Sequence, residues 1–262
     1  MLKSVLTSLA LLLATAAPAQ SISELVDLEV LPGWRQADGS HIAGLRITLA
    51  PGWKTYWRAP GAAGIPPRFD FAGSRNIREA APHFPSPEVF DQAGLTSVGY
   101  SREVVFPLRL DLDGDGPARL RGEIEIGVCA EICIPATLPF DAVLPEQGRR
   151  DGRLLVALAD RPMEAAEAGI GPATCGVKAA AKGLDLALGL PGVGAEDHIV
   201  VELPDPDIWI SGVEVETTTQ GATARVGLQS LSGAGLAFDR SDLRITVIGP
   251  MRSAELRGCS AG

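Results

Sequence analysis

The segment LRGEIEIGVCAEICIPATLPF occupies residues 120–140. From Leu120 to Val128, apolar Ile124, Ile126 and Val128 alternate with Glu123, Glu125 and Gly127. Side chains two apart share one face of a strand, so this run predicts a strand with one buried face. Cys129 and Cys133 follow at once, and Leu138 and Phe140 resume an apolar pattern after Pro135. The cysteines therefore flank a tight connection between two strands, or between a strand and a turn. Opposed positions on paired strands bring α-carbons to ~4.5–5.5 Å, which a disulfide can bridge. So short a loop closes only with strained or unusual geometry, and strained, exposed disulfides exchange readily. The expectation is a redox-active pair. Two other readings stay open: a structural hairpin bridge of the kind secreted proteins use, and two thiolates of a soft-metal site.

On the amino-terminal side the same period recurs. Leu25, Val26, Leu28 and Val30 form one apolar run, and HIAGLRITL (41–49) and VVFPLRLDL (104–112) alternate. Asp113-Gly114-Asp115-Gly116 stands before the cysteine-bearing strand and predicts a hairpin turn. Loops rich in proline fill the rest, as in Ala59-Pro60-Gly61, Ile65-Pro66-Pro67 and Phe84-Pro85-Ser86-Pro87. On the carboxy-terminal side, residues 145–171 carry Leu154, Leu155, Leu158, Ala165, Ala166 and Ala168, which suit one or two short helices broken near Pro162. Strand patterns return at 184–188, 199–203, 208–210, 224–228 and 243–248. The expected fold is all-β. Residues 20–146 form an immunoglobulin-like sandwich, 147–172 a partly helical linker, and 173–262 a smaller β-sandwich-like domain. Gly 30 and Pro 20 among 262 residues agree with many short strands and turns, and 46% hydrophobic residues can fill a core.

Residues 1–19 predict a secretory signal. Lys3 opens it, an apolar run extends from Val5 to Ala17, and Ala17-Pro18-Ala19 supplies small residues for cleavage. An uncleaved anchor helix is the other reading, but the run is short for a bilayer. The mature chain is then expected in an oxidising periplasm, where cysteines pair, and not spanning the membrane. A net charge of -9 without a basic run disfavours nucleic acid and anionic membrane surfaces.

Cys175 and Cys259 bracket the second domain and are expected to form a structural disulfide, leaving Cys129 to pair with Cys133. No metal or cofactor is expected. Asp111, Asp113, Asp115 and Gly116 imitate a calcium loop, but position twelve is Gly122 and the flanks are strand-like. Glu196-Asp197-His198 reads as a polar loop, and Ser101 lacks a nucleophile-elbow setting. Hydrolase and nucleotide chemistry find no support.

Several segments together resemble one family. Gly52-Trp53-Lys54-Thr55-Tyr56-Trp57, then Pro60-Gly61 and Gly64-Ile65-Pro66-Pro67, are similar to a signature of DsbD-type amino-terminal periplasmic domains. So are Pro87-Glu88-Val89-Phe90, Gly99-Tyr100, Val105-Phe106-Pro107 and the Cys129/Cys133 pair with Pro135. The resemblance covers residues 22–144 and is closest to the ScsB-like branch. It implies an immunoglobulin-like domain that passes reducing equivalents from a membrane-embedded thiol reductase or thioredoxin-like donor to disulfide-bonded periplasmic clients. It further implies that Cys133 makes the mixed disulfide and Cys129 resolves it. The segment from Pro87 to Tyr100 would be the cap that shields the pair, with Phe90 as the shield and Glu88, Asp91 and Tyr100 around it. Tyr56, Trp57 and Tyr100 are expected to pack, Tyr100 with a place near the sulfurs as its other reading, and a core or loop-anchoring role is the other reading of Phe90. The sequence departs from the family in its shorter cysteine spacing, and it carries neither a multi-span nor a thioredoxin-like region, so either a separate membrane protein reduces it or it is not a reductant.

No lysine or histidine stands near the cysteines in sequence to depress a thiol pKa, and Glu131 would raise it. Two alternatives are carried forward: a non-enzymatic binding module with only structural disulfides, and a copper-linked accessory holding Cu(I) through Cys129 and Cys133.

Overall fold

The computed structural model describes residues 21–61, 64–92, 94–114 and 116–262. The expected signal segment lies outside the described residues, as does Asp115 of the expected turn.

The first half of the chain runs α1 (Ile22–Leu25), β1 (Val26–Arg35), β2 (His41–Leu49), β3 (Lys54–Tyr56), β4 (Arg68–Asp70), β5 (Ile77–Pro82), β6 (Glu88–Gln92), β7 (Leu95–Ser101), β8 (Glu103–Leu112), β9 (Ala118–Cys129) and β10 (Cys133–Leu144). These strands make two antiparallel sheets, ordered β1-β2-β8-β5 and β10-β9-β3-β7-β6, with β4 also on β9. Their inner faces close on Ile47, Trp57, Phe106, Ile124, Ile126 and Val128, all at most 1% exposed. This is the immunoglobulin-like sandwich that the alternating runs predict.

β10 lies at a sheet edge, and its prolines fit that place. Pro135 and Pro139 cannot donate a ladder hydrogen bond, which an edge strand tolerates. One expectation is corrected here. β8 and β9 do not form a hairpin, because β8 belongs to one sheet and β9 to the other. The Asp-Gly segment between them crosses from layer to layer. The turn residues are legible locally, but sheet membership depends on which face of each strand meets the common core.

Next comes α2 (Gly152–Ala159), capped by the Asp151 side chain on the Arg153 N–H. It packs on the outer face of the first sandwich, where Leu154 and Ala157 join Leu31, Trp34, Ile42 and Val105. A Cβ at Gly44 would stand 2.4 Å from Leu154 Cδ2, so the glycine gives the helix its seat. Residues 165–169 form turns, not a second helix. They follow β11 (Met163–Glu164) and deliver Ile170 into the second core.

The remaining strands are β12 (Thr174–Ala179), β13 (Leu184–Pro191), β14 (His198–Glu202), β15 (Ile208–Ile210), β16 (Glu214–Thr218), β17 (Gly221–Ser230), β18 (Arg244–Ile248), β19 (Ser253–Arg257) and β20 (Ser260–Ala261). They make sheets ordered β11-β19-β18-β14 and β15-β17-β13-β12-β20, with β16 also on β17. Leu186, Leu188, Ala224, Leu228, Leu243 and Ile245 fill the space between them, each fully buried. The Cys175–Cys259 disulfide joins β12 to the segment entering β20.

The three histidines of the chain share one property. His41 is fully buried, with Nε2 2.7 Å from the Pro32 carbonyl. Burial holds its imidazole below the ordinary 6.5, and burial does the same to half-buried His83 and His198. The unfolded chain therefore takes up these protons first. Stability is fully present above the unfolded value and is lost as pH falls through the folded ones. The melting temperature should drop as pH falls from about 6.5 to 5, and His41→Gln should flatten that slope. A slope unchanged in the variant would remove His41 as its source.

Candidate functional site

β9 and β10 pair residue for residue from Ala118↔Leu144 to Cys129↔Cys133. The two cysteines are therefore directly opposed, their α-carbons are 4.1 Å apart, and they are joined as a disulfide. Ala130, Glu131 and Ile132 make the connection, closed by the Ala130 N–H on the Ile132 carbonyl at 3.0 Å. The two sulfur-bearing residues differ in access. Cys129 is fully buried as the last residue of an interior strand. Cys133 is exposed at the start of the edge strand, beside Ile132 at 66% exposure. An incoming thiolate or disulfide can meet Cys133 but not Cys129.

β3 supplies the neighbours. Its order between β9 and β7 places Lys54 directly opposite Cys129. Two residues on, and so on the same face, the Tyr56 hydroxyl lies 3.1 Å from Cys133 Sγ. Tyr56 is 3% exposed, and burial raises its phenol pKa, so it stays protonated and able to donate. Small residues hold its ring. A Cβ at Gly127 would sit 3.0 Å from two ring carbons, and one at Gly64 would sit 2.9 Å from a third. Lys54 donates to Ser97 Oγ at 3.0 Å, with its ammonium 5.0 Å from the Phe90 ring centroid. Burial lowers its pKa.

β6 and β7 form a hairpin, with Phe90 opposite Ser97 and Glu88 opposite Gly99. Phe90 and Asp91 line one groove of about 490 Å³ together with Lys54, Cys129 and Ala130. Glu88 accepts from Ser101 Oγ at 2.9 Å, and Asp91 accepts from Thr96 Oγ1 at 2.7 Å, so both brace the hairpin itself. Tyr100 lies elsewhere. It is 4% exposed, its ring meets Phe106, and its hydroxyl donates to the Pro85 carbonyl at 2.9 Å. The pleat turns it to the core, because it pairs with buried Thr55 and not with Tyr56.

Two residues at the pair escaped the sequence reading. Tyr56 reads from the sequence as a packing residue, and Lys54 is more than seventy positions from the cysteines. A lysine near the pair was not expected, yet Lys54 stands in direct register with Cys129. Among the described residues, no group of three or more His, Cys, Asp or Glu side chains converges as a metal site.

The family model for the thiol:disulfide interchange protein DsbD, N-terminal, matches residues 27–145. Over these residues, fewer than half of the chain, the protein is similar to the DsbD amino-terminal family. They run from the second residue of β1 through β10 and include the β6–β7 hairpin and both cysteines of the pair. A crystal structure of the N-terminal periplasmic domain of ScsB from Proteus mirabilis is similar at a TM-score of 0.72 and 23% identity. The match covers 94% of this chain and 97% of that one, so the shared fold extends over both sandwiches. No curated protein matches the chain.

Proposed function

We propose that this DsbD-type protein is a periplasmic thiol–disulfide exchange protein. It relays reducing equivalents from a membrane-embedded donor to disulfide-bonded clients through Cys129 and Cys133. The observation that carries this reading is the asymmetry of the hairpin disulfide. One sulfur-bearing residue is exposed beside a tyrosine hydroxyl, and the other is buried on the cap side.

The steps follow from that geometry. In the reduced protein the Cys133 thiolate attacks one sulfur of a client disulfide. The client S–S bond breaks, a mixed disulfide forms, and one client thiolate leaves. The Cys129 thiolate then attacks Cys133 Sγ. The mixed disulfide breaks, the second client thiolate leaves, and the Cys129–Cys133 bond re-forms. Two electrons pass to the client, whose two thiolates take up protons. A donor dithiol reverses both steps on this protein and is itself oxidised. Tyr56 stabilises charge on Cys133 by donating its hydroxyl hydrogen to the thiolate, which lowers the thiol pKa. Cys129 meets only a sulfur already attached to its own hairpin, so it needs no access from solvent.

The test is the reduction potential of the pair in glutathione buffers, with Cys129→Ser/Cys133→Ser as control. A value of roughly -180 to -270 mV, absent from the control, is expected. A value below about -300 mV would make the bridge structural and the protein a binding module.

A further inference from the structure

We propose that the second sandwich braces the redox site, and that Arg58 is the positioning residue through which it holds Tyr56. This rests on the exchange reading of Cys129 and Cys133.

Arg58 follows Tyr56 by two residues, in the bend that leaves the end of β3. The ladder to β7 continues past β3, with the Trp57 N–H on the Val98 carbonyl at 3.0 Å and the Val98 N–H on the Pro60 carbonyl at 3.1 Å. Arg58 thus lies in a two-residue bulge whose flanks, Trp57 and Pro60, both bond Val98. Trp57, between Tyr56 and Arg58, is fully buried, and the Arg58 guanidinium stacks 3.9 Å from its ring centroid.

Beyond Trp57, Arg58 leaves the first sandwich altogether. Its Nε and Nη2 donate to the two oxygens of Glu202 at 3.0 Å each, in the parallel-fork geometry that fixes a guanidinium in place. Nη2 also reaches Glu255 Oε2 at 2.9 Å and lies 3.4 Å from Thr246 Oγ1. Glu202, Thr246 and Glu255 stand on β14, β18 and β19, three neighbouring strands of one sheet. The pair is mostly shielded, with Arg58 16% and both glutamates 20% exposed. Such a pair holds its geometry better than an exposed one.

A second set of contacts reaches the cap. Val89 on β6 and Val98 on β7 pack in the same cluster as Val200 and Ile248 of the second sandwich. Asp91 on β6 is within electrostatic reach of His198 on β14. Ser253 Oγ donates to Ser86 Oγ at 2.7 Å, just before the hairpin. The second sandwich thus grips both arms of the site, the strand bearing Tyr56 and the hairpin bearing Phe90. A support that merely joined two domains would have no reason to fall on these two arms.

The test is a double-mutant cycle on the reduced protein, with the Cys175–Cys259 bridge intact. The readout is the pH profile of the rate with a small aromatic disulfide. Tyr56→Phe should move the midpoint of the profile upward and slow the reaction at pH 7 by about three- to tenfold. That is what losing one hydrogen bond to a thiolate implies once reduced nucleophilicity of low-pKa thiols is counted. Arg58→Ala should act in the same direction and should add little in the Tyr56→Phe background. Arg58→Lys keeps the charge but not the fork, so it should fail to rescue. Glu202→Gln supplies the same test from the other sandwich if Arg58→Ala does not fold. The brace is overturned if these variants, folded by circular dichroism, keep the parent profile, or if Arg58→Ala shifts the profile equally with and without Tyr56. The reduction potential of the parent separates the two readings. A structural potential with a coupled shift would retain the brace and discard the exchange role.

Discussion

Cys133→Ser is expected to abolish exchange with a client disulfide, whereas Cys129→Ser is expected to accumulate a mixed disulfide that does not resolve. Exchange needs a thiolate that can approach along the axis of another S–S bond, and that approach requires room on one side of the attacking sulfur. Cys133 has it, at the exposed start of edge strand β10. Cys129 is fully buried and stands opposite Lys54 on β3. The two serine variants therefore differ in kind and not only in degree. With Cys129 gone, the first attack proceeds and the resolving sulfur is missing, so the adduct persists. With Cys133 gone, the remaining thiol is the one that solvent cannot reach. Incubation of each variant with oxidised glutathione, followed by intact-mass measurement without reductant, reads the adduct directly. Equal trapping by both variants, or trapping by Cys133→Ser alone, would reverse the assigned roles.

What the sequence made legible depended on whether each signal was local. The alternation of β9 was plain because one face of the strand is buried along most of its length and the other is largely not. β16, EVETT, is exposed along its length, so burial left no period to read. β3 covers only Lys54–Tyr56 and is too short to show one. The cysteine pair was legible because its spacing alone brings the sulfurs together across a hairpin. Tyr56 and Lys54 were not, because sheet order brings them there: β3 inserts beside β9 from more than seventy residues upstream. The same nonlocality explains why the Asp-Gly turn signal stands between two sheets and not within a hairpin. It also hid Arg58, whose partners Glu202 and Glu255 are 144 and 197 positions away.

The other large effect concerns the second bridge. Cys175→Ala/Cys259→Ala should cost about 4 to 5 kcal/mol of unfolding free energy, the chain-entropy value for a closed loop of this size. The sequence separation is 84, and the loop encloses nearly all of the second sandwich. Cys175 is 1% exposed within the core of Leu186, Leu188 and Ala224, so the bridge is anchored in packed structure. Urea unfolding of the parent against the variant measures the loss, and a change below about 1 kcal/mol would remove the staple role. The contrast with the first pair is informative. Cys129 and Cys133 are only four positions apart, so opening that bridge releases little chain entropy. A protein that cycles one bridge through reduction needs that bridge to carry little of its stability. The bridge of long separation lies in the other sandwich, and the short one opens at the surface. If the brace operates, the variant lacking the long bridge should keep the parent's exchange rate while the second sandwich is folded. As urea unfolds that sandwich, the rate should fall to that of Arg58→Ala before the first sandwich unfolds.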